Sequence, residues 1–385
     1  MPQAQKTYLS SLTSLRGIAA ILVILLHVNI FCFALAPWDS PLDHFIQKGY
    51  LWVDFFFLLS GFIMMHVYSE SFKEGIRGNF KKFMRSRFAR IYPLHIFSFL
   101  SMVAFYFWYR ANFTLYPSDY ANTFNMQSIW TIFLLVHSMG INHNLSWNSP
   151  SWSISVEWWM YVLFPFLLIP FRRITDWKKI FIFFGIIGGY IFIIYYLYPL
   201  SMGNVRTMTD FQDKLDVTYN YGFIRCFFGF LFGMLLYELY RVGWGKRYLN
   251  KNIVWLFTLG IAVLIMSFPL PDFISIVVFA GIVLVSVYAE GVGKIILNWK
   301  PLVYLGDISY SIYLMHLPIM DFLFNYLKVK KFPGIRLENP SWFQAWLYTL
   351  VYLTIVILVS TLTYRLIEVP MRQKLQPPKK AAATA

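Results

Sequence analysis

Mainly apolar stretches recur along this 385-residue chain at 12–36, 50–68, 91–111, 152–171, 179–199, 220–241, 253–270, 272–290, 301–325 and 344–366. A helix needs about 20 such residues to cross the hydrocarbon core of a bilayer. The pattern therefore predicts an all-α polytopic membrane protein with about ten transmembrane helices. Composition agrees. Charged residues make up only 13%, about half the quarter usual for a soluble domain. An aromatic content of 21% excludes disorder over most of the length.

Lys and Arg total 33 against 18 Asp and Glu, a net +15. In a soluble protein this would point to nucleic acid. Here 24 of the basic residues fall at one set of helix ends and 9 at the other, so the excess is a topology signal and no nucleic-acid partner is expected. The positive-inside rule makes the richer side cytoplasmic. Ten is even, so both termini are expected there, and the acidic cluster of Asp210, Asp213 and Asp216 falls outside. Residues 126–141 are apolar but only about 16 long. Were they to span, Arg172, Arg173, Lys178 and Lys179 would change sides, so a short re-entrant or interfacial helix is expected. Residues 1–370 read as one membrane domain and 371–385 as a cytoplasmic basic tail expected to be disordered. The first apolar stretch ends without a small-residue cleavage site. Cys32 and Cys226 are too few for a disulfide framework or a cysteine zinc site, and no metal is expected.

Ionisable groups are costly inside a bilayer and mark functional positions. Arg16 and His27 lie 11 residues apart on one predicted helix. That separation turns 1100°, 20° beyond three full turns, so both side chains share a face about 16 Å apart along the axis. Arg16 is then near the cytoplasmic mouth and His27 in the outer half. The second stretch brings Asp54 near its outer end and Ser60-Gly61 deeper, where small residues also permit close helix approach. The 73–90 loop carries seven basic residues, and Arg87 and Arg90 at its end share a helix face. Arginine forks suit phosphate, though anionic lipid headgroups would account for them as well. Glu157 enters the fourth stretch at a depth matching His27, where a carboxylate would orient an imidazole. Trp152 lies beside it in an aromatic belt, Arg225 is near the outer end of the sixth stretch, and Tyr313 and His316 are in the ninth. The reading is an anion site at the inner mouth (Arg16, Arg87, Arg90) and acid–base chemistry in the outer half.

Six motifs carry a resemblance. They are Thr13-Ser-Leu-Arg16-Gly with His27, Asp54-Phe-Phe-Phe-Leu-Leu-Ser-Gly-Phe, Arg87-x-x-Arg90-Ile-Tyr-Pro, Ser153-x-Ser-x-Glu157, Leu305-Gly-x-Ile-Ser-Tyr-Ser-Ile-Tyr-Leu-x-His316 and Ile367-Glu-x-Pro370. Together, in this order and over nearly the whole chain, they resemble the acyltransferase-3 family of integral membrane acyltransferases. The resemblance implies a ten-helix core that moves an acyl group, most often acetyl, from cytoplasmic acyl-CoA to a hydroxyl of a cell-surface or lipid-linked glycan. The bacterial inner (cytoplasmic) membrane is the expected location. It implies that His27 is catalytic, that Arg16, Arg87 and Arg90 bind the donor, and that Glu157 is functional. With it come Ser60 as a donor-side contact, Asp54 as a second carboxylate near the chemistry, and Trp152, Arg225, Tyr313 and His316 as acceptor-side candidates. Some members carry an extracytoplasmic catalytic domain after the membrane part, whereas only about 19 residues follow the tenth stretch here. The core is thus expected to acylate its acceptor directly or to pass the acyl group to a partner acyltransferase. The competing expectation is a glycan transporter or exporter without acyl transfer.

Overall fold

A computed structural model of the chain describes residues 8–73, 75–114, 122–201, 214–330 and 339–375. Among these residues there are helices and connecting turns, and no strand. The order is α1 (Ser10–Phe31), α2 (Pro41–Gln47), α3 (Trp52–Tyr68), α4 (Phe80–Asn112), α5 (Ile129–Phe133), α6 (Trp152–Arg173) and α7 (Lys179–Phe192). There follow α8 (Gly222–Arg241), α9 (Lys246–Leu249), α10 (Asn252–Met266), α11 (Asp272–Tyr288), α12 (Gly291–Leu297), α13 (Lys300–Asp307), α14 (Ser309–Lys330), α15 (Trp342–Thr363) and α16 (Val369–Leu375). Helix starts follow local chemistry. Ser40 accepts the Asp43 N–H with Pro41 in the first turn of α2, and Ser341 and Gln344 form a reciprocal capping box on α15.

Among the described residues, seven helical stretches are long and apolar enough to cross a membrane, or eight if the pair α11 and α12, bent by 98°, counts as one span. The ten expected from sequence are therefore not all matched. The seventh, α10, has only 15 residues, about 22 Å of helix, less than a hydrocarbon core. The ninth breaks at Ile308 into α13 and α14, and α14 carries Asp321, Lys328 and Lys330. Residues 126–141 contain helix only over Met126–Phe133, about 12 Å at the helical rise and too short to span.

The basic 73–90 segment is not a loop throughout: α4 begins at Phe80 and takes in Arg87 and Arg90. Within the expected tail, residues 371–375 are helical, and the Leu375 carbonyl accepts a hydrogen bond from Arg85 Nε at 2.5 Å. Asp210, Asp213 and residues 376–385 lie outside the described residues.

The tightest pairing in the bundle is α3 against α8, and it rests on two devices. The first is the absence of side chains. A Cβ placed on Gly61 would fall 1.9 Å from the Phe230 carbonyl oxygen, and one on Gly233 would fall 1.9 Å from that of Leu58. Backbone contact of this kind is what small residues provide where water gives no driving force. The second is an ion pair with both side chains fully buried. Arg225 Nη2 donates to Asp54 Oδ2 at 2.6 Å and Nε to Oδ1 at 3.0 Å. The rest of the guanidinium is spent on the Tyr50 carbonyl at 3.1 Å, the Val217 carbonyl at 3.3 Å and Asp216 at 3.5 Å. A buried guanidinium is tolerable only when its donors are satisfied. The same device of bare backbone joins α1 to α13, where a Cβ on Gly306 would meet the Thr13 carbonyl oxygen at 1.8 Å.

Two outcomes follow for stability. Gly61→Ala and Gly233→Ala each overpack a backbone contact and should cost about 1–3 kcal/mol, lowering the unfolding midpoint in a fixed detergent; unchanged midpoints in both would show that α3 and α8 part freely. Asp54→Ala strands Arg225 and should cost about 3–5 kcal/mol, while the double variant Asp54→Leu/Arg225→Met should recover much of the folded yield. A single variant as stable as the parent would contradict the clamping role.

Candidate active site

α1, α3, α4, α6 and α14 converge on a cavity of about 810 Å³, measured with its opening to solvent. Its polar wall contains Arg16, Ser60, Arg87, Arg90, Ser153, Glu157, Tyr161, Ser309, Tyr310 and Tyr313, set among apolar groups such as Phe56, Phe57 and Ile63. The fold thus brings together six residues singled out in the sequence: Arg16, Ser60, Arg87, Arg90, Glu157 and Tyr313.

The three arginines of this wall are not equivalent. Arg90 is spent: its Nη1 pairs with Glu368, a buried carboxylate whose other oxygen accepts from Ser311 Oγ at 3.1 Å. Its guanidinium also lies 5.5 Å over the Tyr310 ring. Glu368 sits in a π-turn, Tyr364–Glu368, at the end of α15. Arg87 is half committed. Its Nη2 donates to the Tyr68 hydroxyl at 2.8 Å, and its guanidinium lies over the Tyr68 and Tyr161 rings at 5.0 and 5.6 Å. Its buried Nε has no partner. Arg16 makes no hydrogen bond or ion pair among the described residues. Two guanidinium groups with donors to spare in one cavity form a receptor for a multiply charged anion such as phosphate.

Glu157 faces this arginine cavity. Its carboxylate accepts from Ser60 Oγ and from the Tyr161 hydroxyl, the latter at 2.7 Å. Among the described residues no hydrogen bond joins Glu157 to His27, so the expected carboxylate–imidazole pair is not the arrangement found; equal depth along two helices did not specify the facing sides. His27 lies elsewhere on α1, half-buried, with Nδ1 2.8 Å from the Val23 carbonyl oxygen. A carbonyl can only accept, so Nδ1 carries the proton and Nε2 presents a lone pair. The ring of His27 packs edge-on to that of His316, centroids 4.8 Å apart.

Tyr313 connects the two clusters. It lines the cavity, its hydroxyl meets Ser153 Oγ at 2.8 Å and donates to the Pro150 carbonyl at 3.0 Å, and its ring lies 6.0 Å from His316.

Asp54, Arg225 and Trp152 form a third group, which does not line the cavity. Asp54 and Arg225 face each other in the buried pair that joins α3 to α8. Trp152 is buried with Arg225 5.3 Å over its ring and Phe57 edge-on at 5.9 Å, so its face is covered rather than open to a sugar. Sequence reasoning assigned no role to Tyr161 or Glu368. Tyr161 could have been found as the i+4 partner of Glu157 on one helix face, and Glu368 as the acid two residues past the last apolar stretch. Among the described residues no group of three or more His, Cys, Asp or Glu could hold a metal ion.

Comparison with known proteins bears on this arrangement. The sequence pattern described as an acyltransferase domain, that of the acyltransferase-3 family, matches residues 9–365. The O-acetyltransferase OatA of Staphylococcus aureus is 23% identical over 95% of this chain and 58% of its own length. The peptidoglycan O-acetyltransferase OatA of Listeria monocytogenes is 22% identical over 96% of the chain and 56% of its own. The acyltransferase MdmB of Streptomyces mycarofaciens is 34% identical over 43% of the chain and 42% of its own length. The chain thus spans a little under three fifths of the two OatA proteins. No solved structure matches. An all-helical membrane bundle whose family pattern runs from α1 to the end of α15 makes this chain a member of the acyltransferase-3 family.

Proposed function

We propose that the protein moves an acyl group, acetyl by default, from acyl-CoA to a hydroxyl of a glycan across the membrane, with His27 as the base. The observation that carries the reading is the pair of unsatisfied arginines, Arg16 and Arg87, in a cavity joined through Tyr313 to a histidine whose Nε2 is free to accept a proton. The donor's phosphates need such guanidinium forks, and its thin arm can run past Tyr313 toward His27. The O-acetyltransferase names of two relatives support acetyl as the group moved. The 24-to-9 asymmetry of basic residues supports a cytoplasmic mouth at Arg16 and an outward-facing His27, in the inner membrane of a bacterium.

In the step proposed, His27 Nε2 takes the proton of the acceptor hydroxyl as that oxygen attacks the thioester carbonyl. The C–S bond then breaks, and the departing thiolate recovers the proton from His27. Glu157, held by Ser60 and Tyr161, balances the positive wall without pairing directly with Arg16 or Arg87. Arg90 acts through Glu368 as a brace for the wall rather than as a phosphate ligand. The acceptor class is a cell-surface or lipid-linked glycan, acylated directly or through a partner acyltransferase.

His27→Ala at equal membrane level should abolish transfer of labelled acetyl from acetyl-CoA to cell-surface glycan, read by mass spectrometry. Retained transfer would remove His27 from the chemistry. Cleavage of the acetyl-CoA thioester by the parent protein separates this reading from an exporter, which has no use for the thioester.

A further inference from the structure

A groove of about 850 Å³, measured with its opening, lies between α4, α14 and α15. Met315, Ile319, Phe322 and Tyr326 of α14 line it, with Ser101 of α4 and Ile355 of α15. The α14 positions recur at intervals of three and four residues, one face of a helix. From Met315 to Tyr326 that face runs about 16 Å. The Ser101 hydroxyl donates to the Phe97 carbonyl at 2.9 Å, and the remaining walls are apolar as far as Tyr326. Such a groove suits hydrocarbon and leaves the hydroxyls of a sugar without partners. At its Tyr326 end the Trp108 ring of α4 lies 4.8 Å from that of Phe322 and 6.5 Å from that of Tyr326.

Two features tie the groove to the chemistry. Its Met315 end adjoins His316 in sequence, and the His316 ring stands 4.8 Å from that of His27. The other feature is charge. α1, α4 and α14 run the same way: Arg16, Arg87 and Tyr310 meet in the donor cavity, His27 meets His316 farther along, and Trp108 meets Phe322 farther still. The groove therefore leads from the level of the histidines toward the helix ends opposite the arginines. There α14 ends in Lys328 and Lys330, both exposed and without a salt bridge among the described residues. Lys330 follows Tyr326 by four residues and continues the groove face. An apolar slot topped by two ammonium groups is complementary to a lipid whose head is a phosphate.

We propose that the acceptor is a glycan carried on a long-chain lipid phosphate that docks from the bilayer. Its chain lies in this groove, its phosphate meets Lys328 and Lys330, and its sugar turns over the end of α14 toward His27. The proposal rests on the acyl-transfer reading and narrows its acceptor. Donor and acceptor then approach from opposite ends of α14, one charged head at Arg16 and Arg87 and the other at the lysines. A hydroxyl of the carried sugar gives its proton to His27 Nε2 as its oxygen bonds the thioester carbonyl carbon. The C–S bond breaks, and the thiolate takes the proton from His27. The lipid phosphate is unchanged by this step, so a later glycan-transfer reaction must move the acylated glycan from lipid to polymer.

The test uses membrane vesicles that carry their own glycans, pulsed with acetyl-CoA labelled in the acetyl group. Label should enter glycan extractable by organic solvent first and then chase into polymer; label entering polymer first overturns the proposal. Added undecaprenyl phosphate, a long-chain lipid phosphate without a sugar, should slow transfer, whereas an equal amount of phosphatidylglycerol should not. Equal inhibition by both marks a groove for ordinary membrane lipid and overturns the proposal, as does inhibition by neither. Lys328→Glu with Lys330→Glu changes exposed positions only; transfer should fall about tenfold, with the affinity of the purified protein for CoA within about twofold of the parent. Parent-like transfer in that variant overturns the phosphate contact. Should the variant fail to reach the membrane, the pulse and the competition decide. A His27→Ala variant that still transfers acetyl would instead overturn the reading beneath.

Discussion

An arginine buried in a membrane-embedded bundle must have its charge answered, by a carboxylate, by backbone carbonyls, by aromatic faces or by a ligand. That requirement sorts the cationic groups of this protein. Arg225 is answered by Asp54 and two carbonyls, and the result is a clamp between α3 and α8. Arg90 is answered by Glu368, and the result ties α4 to the end of α15. Arg87 is answered in part, by the Tyr68 hydroxyl and two aromatic faces. Arg16 is left to the cavity. The functional reading follows from the remainder of this accounting: the charge the protein does not neutralise is the charge a donor can.

The second constraint is geometric. On the proposed reading a charged donor is bound at one cluster of side chains and a hydroxyl is activated at another. α1 contributes to both, with Arg16 in the cavity and His27 beyond it, and α14 does the same with Tyr310 and Tyr313 on one side and His316 on the other. Close approach of α1 to α13, permitted by Gly17 and Gly306, fixes the start of α14 against α1. The backbone contact at these glycines thus fixes how α14 sits against α1.

Much of this was legible in the sequence, and the parts that were not share a cause. Periodicity put Arg16 and His27 on one face and Arg87 beside Arg90, because those relations are internal to a helix. The small residues of the second stretch marked a close approach, and Gly61 makes one with Phe230. What sequence does not encode is which helix faces which. Glu157 was matched to His27 by depth alone, while the fold turns it toward Ser60, Tyr161 and the arginines. Asp54 and Arg225 each looked functional in isolation, and only their meeting across two helices identifies a structural pair. Glu368 was part of a recognised motif, yet its partner lies 278 residues away. The number of spans was harder still, since α10 is short and the ninth stretch breaks at Ile308.

The central claim is that Arg16 and Arg87 hold the phosphates of an acyl-CoA donor, and the affinity of the intact protein for CoA against pantetheine, measured in detergent over a range of salt, tests it most directly. The account predicts that CoA binds at least about tenfold more tightly, that the advantage shrinks as salt rises, and that Arg16→Ala removes it while Arg90→Ala does not remove it selectively. Equal affinity for CoA and pantetheine, or a preference for CoA that survives loss of both Arg16 and Arg87, would contradict it.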